Sequence, residues 1–187
     1  GAFGRDGWGM PGAAAEAPLP SVELFETETG AHMEQIEFIP DSCGAGQWRG
    51  SLGTETCLRL PKPELGDYYL TACVTSADAA RSGLNGGRPG AGNHIRVELD
   101  GGVQNVERVF LDTKIPAGSR VMLRMGGGAG WGDPLARSAD AVRDDVVQEY
   151  VSVAKARRLY GVVLDPKTLE VDAAATDAAR KKARAPQ

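Results

Sequence analysis

"RMGGGAGWGDP", residues 124–134, sets five glycines among seven consecutive positions and ends on Trp131, Gly132, Asp133 and Pro134. Glycine loses more backbone entropy on folding than any other residue and brings no side chain to a core, so a cluster this dense has to serve something. Three uses are open to it: cradling an anion, crossing another backbone at close range, or flexibility. The flanks supply context. "SRVMLRM" (119–125) alternates like a strand, and the sequence after Pro134 turns helical. A glycine loop between strand and helix is one place where backbone N–H groups hold anions. This one lacks the Lys-Ser/Thr ending of a P-loop, and Gly126, Gly128 and Ala129 miss the dinucleotide fingerprint. Composition alone favours close backbone packing, with Trp131 filling the space alongside.

Upstream of this loop the chain reads as strands separated by turn formers. "HMEQIEFI" (32–39) alternates, with Met33, Gln35 and Glu37 on one face and Ile36 and Phe38 on the other. "TETCLRL" (54–60) opposes Thr56, Leu58 and Leu60 to Glu55, Cys57 and Arg59, and "DYYLTACVT" (67–75) is a β-branched and aromatic run. "HIRVELDGG" (94–102) is a strand entering a Gly-Gly turn, with "VERVFLD" (106–112) as its expected partner. "KIPAG" (114–118) makes the turn into "SRVMLRM", with Pro116 fixing φ and Gly118 free to take positive φ.

Downstream the period becomes helical. Ser138 or Asp140 can cap a helix with Val142, Val146 and Tyr150 on one face. Ser152 can cap a second, "VAKARRLY", which Gly161 would end. "VVLDPKTLEVD" (162–172) reads as a hairpin-like excursion, and the alanine-rich basic tail as a marginal helix or a solvated end. The expected fold class is α+β: a Gly/Pro-rich arm (1–20), a β-rich domain with Gly-rich loops (21–134), and C-terminal helices and tail packed on the same domain (135–187). The arm shows no hydrophobic period, and its Phe3 and Trp8 suggest docking on a larger surface, in this chain or another.

Bulk properties bound the function. With 187 residues, 42% hydrophobic and 25% charged, the chain has room for one ordinary domain with a core. A net charge of -4 offers no basic footprint for nucleic acid. The apolar runs are far too short for a membrane span, and no secretory signal opens the chain. Cys43, Cys57 and Cys73 form no CxxC pair, which points to a reduced, cytoplasmic setting. His32 and His94 stand in no metal-ligand spacing, so no metal site is read. The chain opens on Gly1 rather than Met, as a processed or partial polypeptide would.

Chemistry is concentrated in three glycine-rich stretches. "PDSCGAGQWRGSLG" (40–53) carries Asp41 and the pair Trp48-Arg49, and "LNGGRPGAGN" (84–93) carries Arg88. Together with the opening loop they give the candidates for a substrate or anion site: Asp41, Arg49, Arg88, Gly126, Gly127, Gly128 and Asp133. Arg49 is suited to bidentate binding of a carboxylate or phosphate, and equally to stacking on Trp48 or pairing with an acid. Convergence of the three loops on one surface is the sharpest expectation the residues support. Asp144-Asp145 reads as a solvated helix face rather than a catalytic dyad. The residues alone name no reaction and no catalytic group.

"PDSCGAGQWRGSLG", "LNGGRPG" and "GGGAGWGDPLARSADAVRDDVVQEYVSVAKARRLYGVVLD" (126–165) together resemble the C-terminal part of the hydantoinase B/oxoprolinase family, in order and spacing, from about His32 to Asp165. The resemblance implies a small subunit or split C-terminal half of an ATP-dependent complex that hydrolyses a cyclic amide such as a hydantoin, oxoproline or lactam. It implies partners: a larger hydantoinase A-type subunit that binds ATP and Mg, and an N-terminal B-type chain. No cofactor is expected on this chain. A related reading is a subunit of an acetone- or acetophenone-type ketone carboxylase, and another is a non-catalytic structural subunit of such a complex. The chain also departs from the family pattern. Cys43 and Ser51 stand where glycines are usual, Ser138-Ala139 replace Asp-Pro, and "TSADAARSGLNGG" lacks the Arg-rich, Pro-aromatic-Gly stretch common there. The last departure puts ordinary cyclic-amide specificity in doubt and raises the carboxylase reading.

Overall fold

The computed structural model describes residues 1–7, 21–61, 67–73, 82–99, 102–106 and 109–185. Seven strands and four α-helices are present among them, an α+β architecture. The strands are β1 (His32–Ile39), β2 (Gly53–Arg59), β3 (Tyr68–Cys73), β4 (His94–Leu99), β5 (Gly102–Val106), β6 (Val109–Ile115) and β7 (Arg120–Met125). An antiparallel five-stranded sheet has the order β1-β2-β7-β4-β5, and β3 pairs with β6 in a separate two-stranded sheet. The central strand β7 therefore delivers the chain from the middle of the larger sheet into the glycine loop.

Most strand positions follow the sequence pattern, with two corrections. The partner of β4 is Gly102–Val106 rather than the 106–112 run. Residues 109–112 of that run belong to β6 and pair with β3 instead. Alternation identifies a strand and its faces but is blind to which neighbour completes the ladder. In β1 a register shift falls between Met33 and Gln35, so Met33 pairs with Leu58 and Gln35 with Cys57. The extra residue moves Met33 onto the face of Ile36 and Phe38, because each added residue turns the side chains over.

The helices are α1 (Val22–Thr29), α2 (Ala139–Val147), α3 (Val153–Tyr160) and α4 (Ala173–Arg184). Helix α1 is not foreshadowed by the sequence pattern: it buries none of its residues and rests on the sheet mainly through Phe25. Ser138 and Ser152 cap α2 and α3 by accepting from Ala141 N–H and Lys155 N–H, and Gly161 ends α3 in the left-handed conformation. Helix α2 is shorter than the pattern predicts. Tyr150 lies beyond its end because Glu149 takes φ of 59°, which a right-handed helix cannot continue through. The tail is a full 12-residue helix rather than a frayed end. Asp172 caps it, buried Thr176 accepts from Val163 N–H, and Arg180 donates to the carbonyls of Tyr160 and Arg137.

Two apolar cores result. Cys43, Ala45, Val142, Val146, Val151, Ala156, Tyr160, Val162 and Leu164 join the first glycine loop to the helices. Ala31, Leu60, Val97, Ile115 and Val121 lie between the two sheets.

Candidate functional site

The three glycine-rich loops do come together, as layers hydrogen-bonded backbone to backbone. Gly44 N–H donates to Gly128 O at 2.8 Å, Gly128 N–H to Ser51 O at 2.9 Å and Gly130 N–H to Arg88 O at 2.9 Å. Arg88 N–H donates to Ala45 O at 2.7 Å, and Trp48 and Trp131 exchange both backbone bonds at 3.0 and 2.9 Å. Such spacing leaves no room for side chains. A Cβ on Gly50 would stand 1.8 Å from Gly128 O, one on Gly127 2.0 Å from Ser42 O, and one on Gly130 2.1 Å from Ala45 O. The clashing atoms are backbone, which no rotamer change can move. The density of glycine in residues 126–132 is thus a requirement of close backbone crossing.

These contacts use up much of what an anion cradle would need. Gly126 N–H donates to Asn93 Oδ1 at 2.6 Å, and Gly128 N–H is taken by Ser51 O. Asp41 sits in the left-handed region with φ of 62° and faces away from the loop layers, toward α3. Its Oδ1 accepts from Ser152 N–H at 2.8 Å and its carbonyl accepts from Lys155 Nζ, so it fastens the start of α3. Asp133 caps the 3-10 turn Pro134–Ala136 by accepting from Leu135 N–H at 2.9 Å. Arg88 is exposed, and its side chain has no partner among the described residues.

Arg49 is committed elsewhere, to a buried ion network that the sequence pattern did not reveal. Its Nε donates to Asp145 Oδ1 at 2.7 Å, and its guanidinium lies 4.8 Å from the centre of the Tyr150 ring. Arg137 stands on the other side of the same carboxylate, with Nη2 2.8 Å from Asp145 Oδ2. Arg137 also grips Asp6 bidentately at 2.7 and 2.9 Å, and Asp6 Oδ1 accepts from Arg49 N–H at 2.8 Å. Asp145 and Arg137 are only 5% and 4% exposed. The solvated-face expectation therefore holds for Asp144, whose side chain is 70% exposed, and fails for Asp145. Burial opposes the charge of Arg137, but Asp6 and Asp145 outweigh it and hold its pKa above the ordinary arginine value. Two guanidiniums and two carboxylates balance, which is how a buried cluster of charges is tolerated.

The same network explains the N-terminal arm. Residues 1–7 lie on this chain's own glycine layers: Gly7 N–H donates to Arg49 O, and Phe3 meets Trp131 edge-on at 5.2 Å between ring centres. Trp8 lies outside the described residues. Cys43 and Tyr160 adjoin the network, and burial raises the pKa of both. Cys43 is a buried core thiol, not an exposed nucleophile. Among the described residues no group of His, Cys, Asp and Glu is arranged to hold a metal ion, and no helix is long and apolar enough to cross a membrane. No spacing rule links Asp6, Arg49, Arg137 and Asp145. The one signal available was an aspartate in the apolar stripe of α2, one residue before Val146.

The family model described as hydantoinase B/oxoprolinase matches residues 1–134. The chain belongs to the hydantoinase B/oxoprolinase family. It is 34% identical over 164 residues to the beta subunit of the caprolactamase of Pseudomonas jessenii, covering 85% of this chain and 27% of that one. Against the B subunit of a putative D-/L-hydantoinase from Pseudomonas sp. (strain NS671) it is 24% identical, covering 97% of this chain and 30% of the relative. The solved ATP-dependent caprolactamase from Pseudomonas jessenii superposes with a TM-score of 0.71 at 28% identity, over 86% of this chain and 28% of its own. A nucleotide-free acetone carboxylase superposes with a TM-score of 0.75 at 23% identity, over 89% and 26%, a likeness of fold alone. The chain thus spans less than a third of the length of each of these relatives.

Proposed function

We propose that this chain is the small subunit, or split C-terminal half, of an ATP-dependent hydantoinase B/oxoprolinase-type complex that hydrolyses a cyclic amide. One observation carries the reading: the 34% identity to the beta subunit of a caprolactamase across 85% of the chain. An amide carbonyl resists water because resonance feeds nitrogen's lone pair into it. In the assembly we infer, ATP and Mg bound by a hydantoinase A-type partner supply activation of that carbonyl by phosphorylation.

This chain's part follows from which of its groups are still available. The glycine layers form a rigid platform whose amides at Gly126 and Gly128 are occupied, and Arg49 is neutralised by Asp145. Arg88 projects from the same layers with its charge uncompensated among the described residues. An exposed guanidinium there is suited to the oxyanion or phosphate that amide activation generates. Arg49 and Arg137 hold the platform together rather than touch substrate. The carboxylase alternative draws on the absence of that Arg-rich, Pro-aromatic-Gly stretch and on a structural match that speaks for the fold only.

The test begins with native mass spectrometry of the untagged protein from its source. Co-purification with larger chains, one of them ATP-binding, is expected, together with ATP-dependent, bicarbonate-independent ring opening of caprolactam, hydantoin or 5-oxoproline. Arg88→Ala is expected to lower kcat/KM by about 10²-fold with the complex intact, the effect of removing one donor to a developing anion. A lone 19.7 kDa species overturns the reading, and product formation that requires bicarbonate moves it to ketone carboxylation.

A further inference from the structure

The five-stranded sheet has one apolar face, and the described residues cover only part of it. Directly opposed residues on neighbouring strands share a face, so the register lays that face out in rows. One row runs Met33, Leu58, Val121, Val97; the next Ile36, Thr56, Leu123, Ile95; the third Phe38, Thr54, Met125. The first row is true interior, where Val121 and Val97 are buried against Ile115 and the half-buried Tyr68 and Leu70 of the smaller sheet, with Phe25 of α1 beside them. Along the second row the cover thins. Leu123 and Ile95 still pack on that core, while Ile36 is 39% exposed. By the third row it has ended, and Phe38 is 66% and Met125 58% exposed. Because β1 is an outer strand, this strip reaches the border of the sheet.

We propose that the strip of Ile36, Phe38 and Met125 is the seat of the remaining part of a hydantoinase B-type polypeptide, the portion that has no counterpart in this chain. The inference rests on the functional reading above, in which such a portion is a partner. Two observations select this occupant. In the caprolactamase and hydantoinase relatives the matched region is 27% and 30% of one continuous chain, so most of the polypeptide lies beyond it. The strip is also no isolated patch: it continues a core face row by row, as it would if the cover belonged to the same folding unit in a longer chain. A second copy fits less well. Three side chains fall far short of the roughly 800 Å² per partner that a stable interface needs, whereas a polypeptide touching the module at several places needs the strip only as one contact. Exposed apolar surface continuous with a core marks an interaction site, and a flexible thioether at its inner end suits one.

Oxidation of Met125 by hydrogen peroxide, followed by peptide mass spectrometry, reads the strip directly in the wild-type protein. Met125 is expected to oxidise about tenfold more slowly in the complex purified from source than in the same polypeptide after release from it. In a parallel arm, the Phe38→Ser/Met125→Ser variant is expected to lose the larger B-type chain, identified by its peptides. As an isolated chain it should keep wild-type far-UV circular dichroism and melting. Equal oxidation in both states, or a variant that retains the B-type chain at wild-type stoichiometry, overturns the strip and leaves the functional reading standing. Protection in an assembly that holds two copies of this chain and no larger B-type chain assigns the strip to self-association and overturns the proposal. A wild-type chain that brings down no B-type polypeptide defeats both readings together.

Discussion

The glycine loop that follows strand β7 and the apolar face of β7 itself are built on opposite principles. Beyond Met125 the chain enters a layer where backbone meets backbone, and the buried charges of Arg49 and Arg137 are matched by Asp145 and Asp6. Along β7 itself, the apolar face is finished at Val121 and left open at Met125. The loop end is held together by backbone bonds within the chain. The sheet face is left open where the loop layer is closed.

The comparison can be broken most sharply at Asp145. Asp145→Ala strips Arg49 of its paired carboxylate and leaves Arg137 with Asp6 alone, and a loss of about 3–5 kcal/mol in unfolding free energy is expected from chemical denaturation. The neighbouring Asp144→Ala, on the solvated face, is expected to change stability by less than about 0.5 kcal/mol. Equal effects of the two would show that the network does not hold the platform. A smaller but still large effect is expected at Gly50. Gly50→Ala forces backbone apart at the crossing with Gly128 and is expected to cost about 1–3 kcal/mol, read by the same titration. A neutral Gly50→Ala would mean that the layers are looser than their hydrogen bonds imply.

The smallest expected effect is on pH dependence. Burial raises the pKa of Cys43 above its ordinary 9.0 and of Tyr160 above its ordinary 10.0, so each group ionises more readily unfolded than folded. Stability is therefore complete below those ordinary values and declines as pH rises above 9, then more steeply above 10. Thermal melts at stepped alkaline pH check this. Tyr160→Phe is expected to flatten the upper part of the decline, and an unchanged slope would place the ionising group elsewhere.

Much of the fold was legible from local patterns. Period-two alternation located β1, β2, β4 and β7 nearly to the residue, because a half-buried strand must alternate. Serine caps and a terminal glycine placed α2 and α3, because helix ends leave backbone groups that few side chains can satisfy. Helix α1 escaped notice because its Glu-Thr alternation buries nothing and shows no apolar stripe. The partner of β4 escaped because pairing is a choice between distant segments, and one continuous run, 103–112, was divided between two sheets.

By itself the sequence determined most of the elements, the family signature and the presence of three glycine-rich loops, all of which follow from the steric and hydrogen-bonding needs of neighbouring residues. Only the tertiary structure decided what the loops are for. Whether a glycine's missing side chain makes room for an anion or for another backbone depends on what lies opposite, and here that is Ser42, Ala45, Ser51 and Arg88 from segments far along the chain. It likewise paired Arg49 with Asp145, a counter-charge 96 residues away on a helix whose face could be read as either wet or dry. Charge balance and burial are properties of the assembled interior, and no local spacing encodes them.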